Sequence, residues 1–173
     1  GTFCYTGDKK MRNSFRSIQN HNTLYWPDME PCSLNNGLFH LAEEGKIKII
    51  SNLNIENVFS ASYSYSGRSH IRRIFINKSN EEIIIEDSCS HPGSMIAINF
   101  AAEIIPFIKE QTIQINELKF TLTGFSSIEM IDSNVSPRYG ILISAKKIVA
   151  RLNGLKSIQK ISIPKNQNNN RLS

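Results

Sequence analysis

From residue 46 to residue 163 the sequence keeps returning to an apolar–polar alternation of period two, cut by turn signals. KIKIIS (46–51) alternates, and NVFSASYSYS (57–66) places Phe59, Ala61, Tyr63 and Tyr65 on one face. Successive side chains of a strand point to opposite faces, so this pattern marks half-buried strands. HIRRIFIN (70–77) follows a break at Gly67-Arg68, and Lys78-Ser79-Asn80 reads as a hairpin turn. EEIIIEDS (81–88) comes next, and its run Ile83, Ile84, Ile85 predicts a strand buried on both faces. MIAINFA (95–101), TIQI (112–115), LKFTLTGF (118–125) and SSIEMID (126–132) continue the series, with a turn at Asn116-Glu117 and a break at Gly124. YGILISAKKIVARL (139–152) reads as strand in its first half and leaves a helix open in its second. Asn153-Gly154 is a strong turn signal, and SIQKISI (157–163) closes the ordered part before Pro164. Upstream, HNTLYW (21–26) is a short β-prone stretch ended by Pro27, and DKKMRNSFRSIQN reads as a loop with a helical turn.

Many short strands at turn-punctuated intervals predict an all-β fold: an antiparallel β-sandwich of large sheets with few or no helices. The sandwich is expected over residues 1–164. The tail 165–173, KNQNNNRLS, has no apolar periodicity and is expected to be disordered. The composition agrees, because isoleucine, serine and asparagine are frequent and alanine is scarce. A chain of 173 residues suits one domain with a core of its own. No βαβ alternation, glycine-rich phosphate loop, GxSxG or HExxH occurs, which sets aside the nucleotide-binding, serine-hydrolase and zinc-protease patterns.

The formal net charge is +5, with a pI near 9.2. A nucleic-acid footprint needs its bases gathered in a patch or stripe, and these are dispersed, so no nucleic-acid partner is expected. An acidic polysaccharide is a third kind of partner for such a charge. Cys4, Cys32 and Cys89 are far apart and have no CxxC or Cys-His spacing, which argues against a zinc knuckle. No apolar run approaches the roughly 20 residues of a spanning helix, so no membrane partner is expected. The chain opens GTFCYTGDKK with no Met and no leader, which is expected of a piece of a longer protein.

Among candidate site residues His21 stands out, set in the polar cluster Gln19-Asn20-His21-Asn22-Thr23 at the mouth of an apolar strand. It reads as a metal ligand, a base or a structural histidine. With no HxH or HxxxH in the chain, spacing alone favours the structural one. His70, at the start of a strand, reads as a solvent-facing or edge residue beside two arginines. His40 and His91 lack a carboxylate pattern. Arg12 and Arg16 are four apart and can share a face toward a carboxylate. Glu86 and Asp87 point to opposite faces of their strand and make a poor acid/base pair. A tyrosine set beside cations can act as a Brønsted acid.

GTFCYTGDKKMRNSFRSIQNHNTLYW resembles the segment that opens the C-terminal part of the heparinase II/III-like polysaccharide lyases. Gly1, Thr2, Phe3 and Tyr5 match its first block, Arg12 and Phe15-Arg16-Ser17 its middle, and His21-Asn22-Thr23 its last. RSHIRRIFINKSNEEIIIEDS is similar to a second family block, a histidine-arginine strand, a turn and a strand ending in an acid. VSPRYG (135–140) is similar to a late one. The resemblance implies an α/α toroid followed by a β-sandwich, cleaving uronate-containing polysaccharide by β-elimination. It puts Tyr5 in the catalytic set, Arg12, Arg16 and Asn22 on the substrate, and His21 on a zinc ion with an Asp and a His-x-His block that precede Gly1. It therefore implies zinc in the intact parent and none in the isolated chain. It also implies an acidic polysaccharide and a missing N-terminal toroid as partners, a periplasmic or secreted bacterial parent, and a fragment inactive by itself. The alternative is a non-catalytic sandwich that binds carbohydrate or a protein partner.

Overall fold

The computed structural model describes residues 3, 4, 6–34, 45–51 and 57–164. Tyr5, His40 and the tail 165–173, on which expectations were placed, lie outside the described residues. Two antiparallel sheets face each other. The smaller contains β1 (Leu24–Tyr25), β6 (Met95–Asn99), β10 (Phe125–Val135) and β11 (Ile143–Leu152), in the order β1-β6-β11-β10. The larger contains β2 (Lys46–Ser51), β3 (Val58–Tyr65), β4 (Arg68–Asn77), β5 (Glu82–Cys89), β7 (Phe107–Lys109), β8 (Thr112–Ile115), β9 (Leu118–Thr123) and β12 (Lys156–Ser162). Its order is β2-β3-β4-β5-β12-β9-β8-β7. This is the all-β sandwich that the alternation predicts.

The core fills the space between the sheets. Ile96, Ile98, Ile148, Ala150 and Leu152 come from the smaller sheet, and Ile113, Ile115 and Leu122 from the larger, with Trp26, Phe100 and Phe125 in the same cluster. Ile113, Leu122 and Ile148 expose nothing to solvent. Burying such a side chain stabilises the fold by roughly 1.5–3 kcal/mol.

Turn chemistry sets the register. Ser66 and Gly67 both have positive φ, the conformation of a tight two-residue hairpin that closes the pair Tyr65 and Arg68. Asn116, also at positive φ, does the same between Ile115 and Leu118. Two of the corners that carry the chain between sheets meet each other. Gly124 leads from β9 into β10, and Asn153-Gly154 leads from β11 into β12. The corners are bonded together, with the Asn153 N–H donating to the Gly124 carbonyl at 2.8 Å.

Five expectations need correction. β2 is a strand but is exposed rather than half-buried, as the outermost described strand of the larger sheet. Residues 9–16 form a real helix, α1 (Lys9–Arg16), rather than a loop with a turn. Asp8 caps it, its Oδ1 accepting from the Met11 N–H at 2.9 Å, and a 3-10 turn (Ile18–Asn20) continues it. The second half of 139–152 is strand: pairing of β11 with β6 and β10 on its two sides overrides the helix propensity of Lys-Lys-Ile-Val-Ala-Arg-Leu. Ile83, Ile84 and Ile85 are only half-buried, because a two-layer sandwich covers one face of β5. His70 is buried in β4, between β3 and β5, and is neither solvent-facing nor at an edge. The short strand β7 was not foreseen. Among the described residues no helix is long and apolar enough to cross a membrane.

Candidate functional site

His21 sits just after the 3-10 turn, where the chain leaves α1 for β1. Its backbone is fixed: its N–H donates to the Ile18 carbonyl at 3.0 Å and its carbonyl accepts from the Thr23 N–H at 2.8 Å. Its side chain is exposed and borders a cleft of about 660 Å³. Phe15, Arg16 and Asn20 line one wall. Asn99 at the end of β6, Ala101 to Glu103 after it, Asn134 to Pro137 at the end of β10 and Ile143 supply the rest. The lining therefore offers one guanidinium, one imidazole, three carboxamides and one carboxylate around apolar ground. That mixture suits a polar, anionic ligand with hydroxyl groups.

Three anchors hold the segment that carries His21. Glu30 grips its start, where one carboxylate oxygen accepts from the Ser17 hydroxyl and the other from the Ile18 N–H at 3.1 Å. Lys147, on β11, donates to the Gln19 carbonyl at 3.3 Å and to Asn20 Oδ1 at 3.0 Å. It is only 8% exposed, and burial pushes its ammonium below the ordinary lysine value. Arg72, on β4, donates through Nη1 to the Asn22 carbonyl at 2.7 Å.

Arg72 belongs to a buried polar network. Asp87 is 1% exposed and accepts from Arg72 Nε at 2.7 Å, Arg72 Nη2 at 3.0 Å and Gln159 Nε2 at 3.1 Å. His70 Nε2 lies 2.7 Å from the same carboxylate. The register explains this: Arg72 is directly opposite Asp87 across β4 and β5, and His70 and Gln159 are two residues along on the same face. Burial works to raise the Asp87 carboxyl. Hydrogen bonds and charge from His70 and Arg72 outweigh it and hold the carboxyl below its ordinary value.

The predicted site residues divide. Arg16 and His21 share the cleft. Arg12 is the buried residue of α1 and is not among the residues lining the cleft. The Asn22 side chain turns toward β6, where its Oδ1 accepts from the Asn99 backbone N–H at 2.7 Å and from Asn99 Nδ2 at 3.0 Å. Tyr5 lies outside the described residues. Sequence reasoning missed Glu30, Asn99, Asn134, Lys147 and the Arg72–Asp87 pair. For that last pair the signal was present, since the turn after Asn77 fixes which residues of β4 and β5 face each other.

A zinc site does not assemble from these residues. Among the described residues no three His, Cys, Asp or Glu side chains group closely enough to hold a metal ion. His70 is committed to Asp87, and Asp28 to a bidentate pair with Arg68 at 2.7 Å, so neither joins His21.

The two unequal antiparallel sheets, with a polar cleft beside α1, define an all-β sandwich. The chain belongs to the heparinase II/III-like C-terminal family, whose model matches residues 1–161. No curated protein matches it. Among solved structures it is similar to a heparinase III with methylated lysines (TM-score 0.69, 16% identity, 96% of this chain and 27% of that one). It is also similar to the heparan sulfate lyase HepC from Pedobacter heparinus (TM-score 0.65, 15% identity, 96% of this chain and 28% of that one). The chain thus spans little more than a quarter of the length of these solved structures.

Proposed function

We propose that this chain is the sandwich part of a lyase that cleaves uronate-containing polysaccharide by β-elimination. The observation that carries the reading is convergence. The Arg16–His21 stretch and the Val135–Pro137 stretch, which are far apart in sequence and both resemble family blocks, line one cleft. A third such block, the β4–β5 hairpin, bonds to Asn22 beside it.

In β-elimination a base removes the proton at C5, the C4–O bond breaks as the C4–C5 double bond forms, and the leaving oxygen takes a proton. The developing charge on the C6 carboxylate needs hydrogen-bond donors or cations. On this reading Arg16 and the carboxamides of the cleft hold the acidic sugar, Tyr5 supplies the leaving-group proton, and His21 faces the polymer. Most of the remaining groups come from a toroid domain of the full-length protein. The solved relative that cleaves heparan sulfate supports a sulfated or uronate-rich polymer as the substrate class. Such a polymer fits a periplasmic or secreted protein. His21 as one ligand of a zinc ion completed by donors outside the described residues is part of the same proposal.

The test uses the full-length protein and follows unsaturated product by ultraviolet absorbance. His21→Ala is expected to lower both rate and zinc content with the sandwich still folded, since it opens no core cavity. Full rate and full metal in that variant would overturn the role given to His21. Absence of any lyase activity in the full-length wild type, with saturable oligosaccharide binding, would favour the carbohydrate-binding sandwich instead.

A further inference from the structure

We propose that Lys147 and Arg72 are positioning residues for His21: two cations, one from each sheet, that grip the backbone on either side of it. The inference rests on the reading of His21 as a functional group of the cleft. Lys147 holds Gln19 and Asn20, immediately before His21, through its ammonium on β11. Arg72 holds Asn22, immediately after it, through Nη1 on β4.

The two cations have different surroundings, and the difference is informative. Arg72 has a buried anionic partner in Asp87, so its retention is explained by charge pairing alone. The bonds found for Lys147 go to a carbonyl and a carboxamide oxygen, both neutral. Removing an ammonium from water to meet neutral acceptors is unfavourable compared with an apolar side chain of similar length. A lysine in that position serves local geometry rather than global stability. Asn20 passes the grip on, because its Nδ2 donates to the Ser14 carbonyl at 2.6 Å and so ties α1 to the same ammonium.

The arrangement also joins the sheets through the site. Neither clamp touches the imidazole, so neither is a catalytic residue. Each removes a way for His21 to move: Lys147 limits rotation of the 3-10 turn, and Arg72 limits the slide of the strand entry. A group that must meet a ligand to within a fraction of an ångström loses activity when its support loosens.

The test measures backbone amide hydrogen exchange at His21 and Thr23 by NMR on the 173-residue chain. The variants are Lys147→Met, which leaves no unpaired charge, and Arg72→Lys, which keeps the charge beside Asp87 but loses the fork that spans Asp87 and Asn22. Thermal unfolding is measured in parallel. Lys147→Met is expected to keep or raise the unfolding midpoint while exchange at His21 rises about tenfold, as loss of one hydrogen bond does to a local opening. Arg72→Lys is expected to raise exchange at Thr23 by a similar factor. Wild-type exchange at both amides in both variants, or exchange that changes only in step with global stability, would overturn the clamp. In the full-length protein Lys147→Met is expected to lower kcat/KM about 10- to 100-fold, and Lys147→Arg to restore most of it. Raised exchange with no effect of His21→Ala on product formation would leave the clamp standing and remove the reading of His21. Lost activity in His21→Ala with unchanged exchange would do the reverse.

Discussion

Asp87 is the residue on which the polar half of the interior turns. Its carboxylate collects His70, the Nε and Nη2 of Arg72, and Gln159. Removing one partner of a buried ion pair leaves the other uncompensated, and the usual loss is about 3–5 kcal/mol. Asp87→Asn is expected to destabilise the chain toward the lower end of that range, because Arg72 keeps some contact with solvent. Urea denaturation at neutral pH checks this. The sign of the acid dependence follows from the lowered carboxyl. The unfolded chain takes up the proton near 3.8, while the folded chain resists until a lower pH. Between those two points the unfolded state binds more protons, so stability rises with pH there. The contribution is complete above the ordinary aspartate value and is lost as the pH falls through the depressed one. Asp28 and Asp132 are also held low, but both are exposed, so solvent screens their pairs and the acid limb belongs chiefly to Asp87. Denaturation midpoints measured from pH 6 downward should converge between wild type and Asp87→Asn. Parallel curves would show that the limb has another source.

At the scale of elements, the corner at Gly124 and the cap of α1 give the sharpest tests. Gly124 has φ +87, and a Cβ there would lie 2.5 Å from the Lys156 carbonyl oxygen, which is backbone and does not swing aside. Gly124→Ala therefore combines a left-handed conformation with a backbone collision. It is expected to cost at least about 1–3 kcal/mol, read as a lowered thermal midpoint. Asp8→Ala removes the bond to the Met11 N–H and should cost about 1 kcal/mol, with loss of helical signal from the first turn of α1. These elements also mark where the sequence was legible. The strands at 46–51 and 112–115 were read to the residue, because period-two alternation between turn formers is a local signal. Gly124 and Asn153-Gly154 were read as breaks, but nothing local says that a break carries the chain to the other sheet. Helix α1 was hidden because its apolar face is only Met11 and Phe15 among charged and amide residues, and Asp8 acts through geometry that composition does not reveal. At the candidate site, Arg16 and His21 were recoverable from the resemblance. Lys147 was not, since its partners Gln19 and Asn20 lie more than 120 residues away in sequence.

Among the described residues one sheet of the sandwich has twice as many strands as the other, and the cleft is lined from α1, the segment after β6 and the end of β10. The described cleft residues include donors for an acidic sugar, but they do not include a second imidazole or a paired carboxylate. Removing the C5 proton of a uronate is eased by a metal ion on the sugar carboxylate, and no three metal-binding side chains group together among the described residues. The solved heparinase III and HepC are nearly four times as long as the stretch that this chain matches. We therefore expect the 173-residue chain to bind acidic oligosaccharide weakly, with Arg16→Gln weakening it further, and to form no unsaturated product from heparan-type or alginate polymers. Elemental analysis of the same preparation is expected to find no stoichiometric zinc, because a stable site needs about three protein ligands. The measurement is product absorbance over hours beside a full-length protein of the same sequence. Turnover by the short chain at a rate comparable to the full-length protein would mean that the sandwich holds the complete catalytic set, and the division of labour with a toroid would have to be abandoned.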